Sequence, residues 1–181
     1  MMAAAWLPYL LSAQSYQELM EQASTQLGNR ELKNAKALYQ QAAAADTTRG
    51  EPWYGIYRCT FNDDEQLDAL NNAIRRQPDA PVYYEYRGYL YNSMGKQSER
   101  IADFRRWVQL APKNGAAHAQ FATALNQENP GNPEIKEHFR ELLKLEDQDN
   151  YHVKQLKKNF PSLYAELSNE PGLAVAQKSK D

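Results

Sequence analysis

The sequence predicts an all-α fold built from antiparallel helix pairs, and three observations carry that prediction. Apolar residues recur along the chain at a spacing of 31 or 34 residues. Prolines fall at regular boundaries, as at Pro78 and Pro112, and glycine is scarce, with 8 in 181 residues. This punctuation is typical of short helices joined by tight turns and disfavours a many-stranded sheet.

Composition narrows the class of protein. With 42% hydrophobic and 24% charged residues, the chain can bury a substantial core. Its formal charge of −2 creates no strong field, so nucleic acid is not favoured as a partner. The single cysteine, Cys59, excludes an intrachain disulfide framework. It is compatible with a reducing cytosol, so we expect a cytoplasmic location, with a periplasmic or membrane-associated one as the open alternatives.

The first element is an apolar N-terminal segment, residues 1–13. We expect it to form a helical cap on the stack, and the alternative is that it is the remnant of a targeting segment. It is too short to span a bilayer, and no other segment approaches the required length. The sequence therefore predicts no integral membrane span.

The internal repeat is the strongest signal. Four residue pairs are 34 apart: Pro78 and Pro112, Leu70 and Phe104, Ala73 and Trp107, Tyr84 and His118. One step earlier the spacing falls to 31: Tyr39 and Leu70, Ala42 and Ala73, Trp53 and Tyr84. A deletion of three residues between Trp53 and Gln66 explains both sets. It predicts a second unit shortened by almost one helical turn.

The repeat divides residues 14–148 into four units, 14–49, 50–80, 81–114 and 115–148. The predicted helix pairs are 14–28 with 31–45, 50–61 with 64–77, 81–94 with 98–110, and 115–128 with 133–146. Pro52 and Pro81 suit first helical turns, because proline lacks only an N–H that a helix start leaves free. A C-terminal capping helix is expected over 149–168, broken near Pro161, and a flexible tail over 169–181.

The third unit carries a recognisable residue pattern. Along its two helices it places these residues: Tyr84, Gly88, Tyr91, Gly95, Phe104 and Pro112. In this pattern the unit resembles a tetratricopeptide repeat (TPR), and the resemblance extends over about residues 14–146. A half-a-TPR or Sel1-like repeat of similar period is the alternative. The chain departs from the TPR pattern at Gln66, Arg100 and Trp107, where the family prefers small residues.

The resemblance implies a right-handed superhelix in which the first helix of each unit lines a concave groove. The groove positions it implies are Tyr54, Arg58, Tyr86, Tyr89, Asn92, Gln120 and Thr123, with Glu85 and Phe61 beside them. Tyrosine and arginine are frequent interface hot spots, and amides can bind the backbone of an extended peptide. The alternative is that these tyrosines are core residues.

We therefore predict a protein-interaction scaffold or adaptor that binds a partner peptide or helix. Two alternatives remain open. One is a small secretion or assembly chaperone of TPR type, and the other is a structural subunit that self-associates through its N-terminal or C-terminal helix. The clamp by which TPR co-chaperones hold acidic C termini of heat-shock chaperones is not matched, since Met20, Ser24, Gly55, Val82 and Tyr86 occupy its places.

Signals for other chemistry are weak. No two histidines among His118, His138 and His152 have the i, i+4 spacing of a helical metal site, and no nucleotide-binding or hydrolase motif occurs. We expect no catalytic residue, no metal and no cofactor. Five arginines lie on predicted second helices: Arg75, Arg76, Arg100, Arg105 and Arg106. They indicate either a basic patch on the outer face or an ordinary mixed-charge surface.

Overall fold

A computed structural model describes residues 14–171 and residue 173. The predicted N-terminal cap over 1–13 and most of the predicted tail lie outside these residues. The described part contains ten helices and no strand, which confirms the all-α prediction. The helices are α1 (Tyr16–Gly28), α2 (Leu32–Ala45), α3 (Glu51–Tyr57), α4 (Asp63–Arg76), α5 (Pro81–Ser93), α6 (Gln97–Leu110), α7 (Gly115–Glu128), α8 (Glu134–Leu145), α9 (Tyr151–Asn159) and α10 (Pro161–Ser168).

Local chemistry accounts for the helix starts. Ser15 and Glu18 form a capping box at α1, each side chain bonding the other residue's backbone N–H. The side chains of Asn62, Asn114 and Asn150 accept hydrogen bonds from first-turn N–H groups of α4, α7 and α9. These short-range interactions begin each helix near the position that the sequence pattern indicates.

In two of the units, the first and the third, the turn between the helices contains a left-handed residue. In the third unit this residue is Gly95, with a φ of 71°, followed by a Lys96 N–H that donates to the Tyr91 carbonyl. In the first unit the same place is taken by Arg30, with a φ of 64°, and the Glu31 N–H donates to Gln26. Gly28 is the last residue of α1, where the sequence predicted that this helix ends.

The second unit is shortened in its first helix. Helix α3 has 7 residues, whereas α5 has 13. The prediction of a helix continuing to residue 61 is wrong, because the chain tightens at Cys59, whose N–H donates to Ile56. Cys59 therefore lies in a turn, although it is buried as expected. The shortening that the spacing of 31 residues indicates therefore appears at the end of α3.

The helices pack as two layers. First helices contact one another through aromatic rings, as Tyr54 of α3 does with Tyr83 and Tyr86 of α5. Second helices are linked at their surface by ion pairs, such as Lys36 with Glu65 at 2.7 Å and Arg105 with Glu134 at 3.5 Å. The apolar core lies between the layers, and its largest fully buried side chains are Trp107, Phe104, Phe121, Phe139, Leu70, Leu125, Leu142, Leu156 and Leu167.

The C-terminal region covers the fourth unit with two short helices, broken at Pro161 as predicted. Val153, Leu156 and Leu167 from α9 and α10 enter the core cluster of α7 and α8. At the surface, Glu170 accepts from Arg140 Nε at 2.7 Å and pairs with Lys136 at 3.1 Å. None of the described helices is long and apolar enough to cross a membrane.

Candidate binding surface

A row of tyrosines runs across the first-helix layer from α3 to α5. We define the tyrosine row as Tyr54, Tyr57, Tyr86 and Tyr89. Its neighbouring ring centroids are 5.5 to 6.4 Å apart, in stacked, tilted and edge-on arrangements. Aromatic pairs at such distances hold one another rigidly and add to the stability that burial provides. The row is therefore a preformed surface.

The row is only half-buried. Tyr54, Tyr57 and Tyr86 keep part of their surface exposed, and Tyr89 is 36% exposed even though its ring lies edge-on to Phe104 and Trp107. Phe61, in the turn after α3, is 85% exposed. Monomeric proteins seldom present several large aromatic side chains together without a use for them.

Charged side chains lie beside both ends of the tyrosine row, Arg58 near Tyr54 and Glu85 near Tyr89. The Arg58 guanidinium is exposed and its carbon lies 5.9 Å from the centroid of the Tyr54 ring. Burial raises the pKa of the Glu85 carboxyl and of the Tyr54 hydroxyl. Burial, and then the Glu85 carboxyl, raise the pKa of Tyr89 to about 12, while the charge of Arg100 acts in the opposite direction. The Tyr54 and Tyr89 hydroxyls thus stay protonated and can donate hydrogen bonds at physiological pH.

The seven predicted groove residues do not form one cluster. The structure brings Tyr54, Arg58, Tyr86 and Tyr89 together, and Asn92 is exposed on the last turn of α5. Gln120 and Thr123 instead line a cavity of about 170 Å³ whose other walls come from α8, α9 and Phe160. The Thr123 hydroxyl donates to the Ala119 carbonyl at 2.7 Å.

Two further features of this region escaped the sequence analysis. Tyr57 belongs to the row, but the shortened α3 obscured its register. Arg100 is buried, with 4% of its surface exposed, so it is not part of the basic outer patch that the sequence suggested. The sequence signal that could have indicated the burial of Arg100 was its departure from the repeat pattern. A long cationic side chain stands where the TPR family has a small residue.

A histidine pair also forms between α7 and α8. His118 Nδ1 lies 2.9 Å from His138 Nδ1, and His118 Nε2 lies 3.1 Å from the Pro112 carbonyl oxygen. A carbonyl can only accept, so His118 carries its proton on Nε2 and accepts from His138 Nδ1–H. The described residues hold no group of three or more potential metal ligands. The pair therefore reads as a structural contact, which residues 20 apart cannot reveal from spacing.

A second cavity, of about 370 Å³, opens between the ends of α2 and α4. Its walls include Ala43, Ala44, Ile56 and Trp53. Arg76 covers the Trp53 ring at 4.7 Å and donates to the Thr47 carbonyl at 2.9 Å. The cavity is apolar and lies outside the tyrosine row.

Solved structures share this arrangement of helix pairs. MamA superposes with a TM-score of 0.63 at 19% identity, over 80% of this chain and 81% of that one. YrrB, described as a TPR protein with an unusual peptide-binding site, superposes with a TM-score of 0.66 at 15% identity, over 90% of this chain and 97% of that one. This chain has the tetratricopeptide-repeat fold.

Sequence comparison adds one partial relative. The human (Homo sapiens) SGT1 homolog is 28% identical over 79 residues, which are 42% of this chain and 22% of that protein. The chain thus spans less than a quarter of the length of this curated relative. It matches no model of a known protein family.

Proposed function

We propose that this protein is an interaction module that binds a peptide segment of a partner protein along the tyrosine row. The observation that carries the proposal is the continuous, half-exposed aromatic surface from Tyr54 to Tyr89 on the first-helix layer. Rigid tyrosines supply contact area at low entropic cost, because few bonds are frozen on binding. Arg58 beside Tyr54 adds a donor for a carbonyl or carboxylate of the partner.

One comparison and the geometry of the TPR fold support this proposal. The fold is shared with YrrB, and that protein has a peptide-binding site. In TPR stacks the first helices line the concave face, and the tyrosine row lies on this layer.

The role we propose is binding without catalysis. A cytoplasmic location suits Cys59, a buried thiol whose pKa burial raises and which is therefore kept from reacting.

Peptide selection and mutation test the proposal. Random peptides displayed on phage would be selected on the wild-type protein, and the best sequence synthesised. We expect Arg58→Ala and Tyr89→Ala each to weaken its binding by about 1–3 kcal/mol in calorimetry. Tyr151→Ala is the matched control, because Tyr151 is 66% exposed on α9 and lies outside the row; it should bind like the wild type.

Thermal melting separates this role from a purely structural one. If Tyr89 served only the core, Tyr89→Ala would lower the melting temperature sharply, and Arg58→Ala would alter neither property. Unaltered affinity in both variants would refute the proposed surface. Light scattering of the free protein tests the alternative of self-association, which predicts a mass above that of one chain.

A further inference from the structure

Two partly buried arginines, Arg87 and Arg140, share one bonding pattern. In Arg87, Nε and Nη2 donate side by side to Asp103 at 2.8 and 2.7 Å, and Nη1 donates to the Asn71 side chain. In Arg140, Nε and Nη2 donate to Glu170 at 2.7 and 3.0 Å, and Nη1 donates to Glu137. In both, a carboxylate occupies the Nε–Nη2 edge, the bidentate geometry that arginine favours.

Arg100 has the same arrangement without the carboxylate. Its Nη1 donates to the side-chain oxygens of Gln97 and Gln127, so the guanidinium is held in place from α6 and α7. Its Nε is buried and has no hydrogen-bond partner among the described residues. Nη2 also donates to no described residue, but unlike Nε it is not fully buried. The Nε–Nη2 edge of this arginine is therefore open in the sense that no acceptor among the described residues occupies it, although its Nε end is covered.

Leaving hydrogen-bond donors of a buried cation without an acceptor lowers the stability of the folded protein. Arg100 is 4% exposed and forms no ion pair within the described residues. The Phe104 ring, 5.4 Å from the guanidinium carbon, offsets part of the lost hydration but offers no hydrogen-bond acceptor. Burial accordingly lowers the pKa of Arg100. A charge that is buried and unpaired is rare in proteins unless a partner completes it.

The position of Arg100 connects it to the tyrosine row. Phe104 contacts both the Arg100 guanidinium and the Tyr89 ring, with centroids of the two rings 5.4 Å apart. Gln127, which holds Nη1, belongs to α7, the first helix of the next unit. Arg100 thus lies at the Tyr89 end of the row, between the third and fourth units.

We infer that Arg100 is a specificity site for an Asp or Glu side chain of the bound peptide, whose carboxylate takes the open Nε–Nη2 edge. This inference rests on the proposed function and adds a chemical requirement to it: the peptide places an acidic residue next to the apolar residue that covers Tyr89. Nη2 makes the first contact, and Nε follows as the peptide displaces the side chains that cover it. A free C-terminal carboxylate has the same two oxygens as a side-chain carboxylate, so the test uses peptides that have no free C terminus.

The probe is a library of random peptides fused to the N terminus of a phage coat protein, so that only side-chain carboxylates are present. Selection on the wild-type protein should enrich Asp or Glu beside an apolar residue. Selection on Arg100→Met should lose the acidic residue and keep the apolar one. Arg75→Met, which removes an exposed arginine from α4, is the matched control and should select the wild-type pattern.

A synthetic peptide then isolates the contact without altering the protein. With its N terminus acetylated and its C terminus amidated, the selected peptide should bind the wild-type protein about 10- to 100-fold more tightly than its Glu→Gln version. On Arg100→Met the two versions should bind equally. The ¹⁵N-detected Arg100 Nε–H signal of the wild type should shift with the Glu peptide and stay in place with the Gln peptide.

The outcomes separate the two proposals. Equal acidic enrichment on wild type and Arg100→Met, or an equal Glu→Gln effect on both, would overturn the carboxylate site. Apolar peptides without any acidic residue would overturn it and leave the tyrosine row standing. Failure of the wild type to select any peptide that depends on Tyr89 would remove the proposed function, and this inference with it.

Discussion

Gly88 shows how one residue sets the distance between two helices. A Cβ atom at this position would overlap the ring of Phe104, so α5 and α6 can approach only because the side chain is absent. The 34-residue repeat places Ala122 at the equivalent position of α7, where it is fully buried. Small residues at this point of the repeat therefore serve close packing between the helices of a unit.

Replacing Gly88 tests this packing. Gly88→Leu should lower the free energy of unfolding by about 1–3 kcal/mol, because the Phe104 ring must move to admit the new side chain. Gly28→Ala is the control, since a Cβ there meets nothing within 4 Å. Urea denaturation of both variants gives the comparison, and an unchanged midpoint for Gly88→Leu would contradict the repeat alignment.

At the scale of elements, one contact occurs both where the second unit meets the third and where the third meets the fourth. The Tyr84 hydroxyl donates to the carbonyl of Pro78 at 3.0 Å, and His118 Nε2 makes the equivalent bond to Pro112 at 3.1 Å. Each bond ties a first helix to the proline that ends the preceding unit. In the fourth unit histidine stands in place of the tyrosine; it makes this bond and also accepts at Nδ1 from His138 of α8.

The histidine pair should make stability depend on pH. Burial, and then the neighbouring His118, lower the pKa of His138. The unfolded chain, with histidine near a pKa of about 6.5, therefore binds more protons than the folded one as the pH falls. Stability is fully present above about pH 6.5 and decreases below it, by at most about 1.4 kcal/mol per pH unit for one proton.

Urea denaturation between about pH 7 and about pH 5 measures this dependence. His138→Gln keeps a donor for His118 but cannot titrate, so its stability should fall less on acidification than that of the wild type. His152, whose pKa is also lowered by burial, remains in that variant and supplies a residual slope. His152→Gln is accordingly the matched control. Identical dependence of stability on pH in the wild type and His138→Gln would contradict the assignment of this dependence to His138.

At the scale of the whole molecule, the stack depends on contacts between successive units. Each helix pair leaves one face uncovered until its neighbour packs against it, which makes the ends of a repeat array its weak points. At the C-terminal end, α9 and α10 cover the fourth unit with Val153, Leu156 and Leu167. The ion pairs of Lys136 and Arg140 with Glu170 fasten the same cover at the surface.

Weakening the packing of α9 on the fourth unit should destabilise that unit as well as the C-terminal helices. Leu156→Ala removes a side chain that is 1% exposed and should cost about 2–5 kcal/mol. Because units are coupled, hydrogen exchange should quicken in α7 and α8 as well as in α9. Lys154→Ala, an exposed change two residues away, is the control. Protection lost in α9 alone would show that the cover is not coupled to the fourth unit.

Local patterns carried most of the architecture. The helix pairs, the break at Pro161 and the shortened second unit follow from apolar periodicity, prolines and asparagine caps, all of which act within a few residues. The end of α3 at Tyr57 instead of residue 61 could not be predicted in this way. At this point the Cys59 N–H donates to the Ile56 carbonyl, and no proline or glycine between Tyr57 and Asn62 marks the end of the helix in the sequence.

The candidate site was only partly predictable. The resemblance to the TPR pattern assigned Tyr54, Arg58, Tyr86 and Tyr89 to the groove side of the first helices. Three other features depend on contacts between separate helices. They are the exposure of each tyrosine ring, the contact of α9 with Gln120 and Thr123, and the unpaired edge of Arg100. The sequence by itself thus determined the order and pairing of the helices, whose causes are local. Only the tertiary structure decided the bonding state of His118 and Arg100, because their partners lie 20 and 27 residues away.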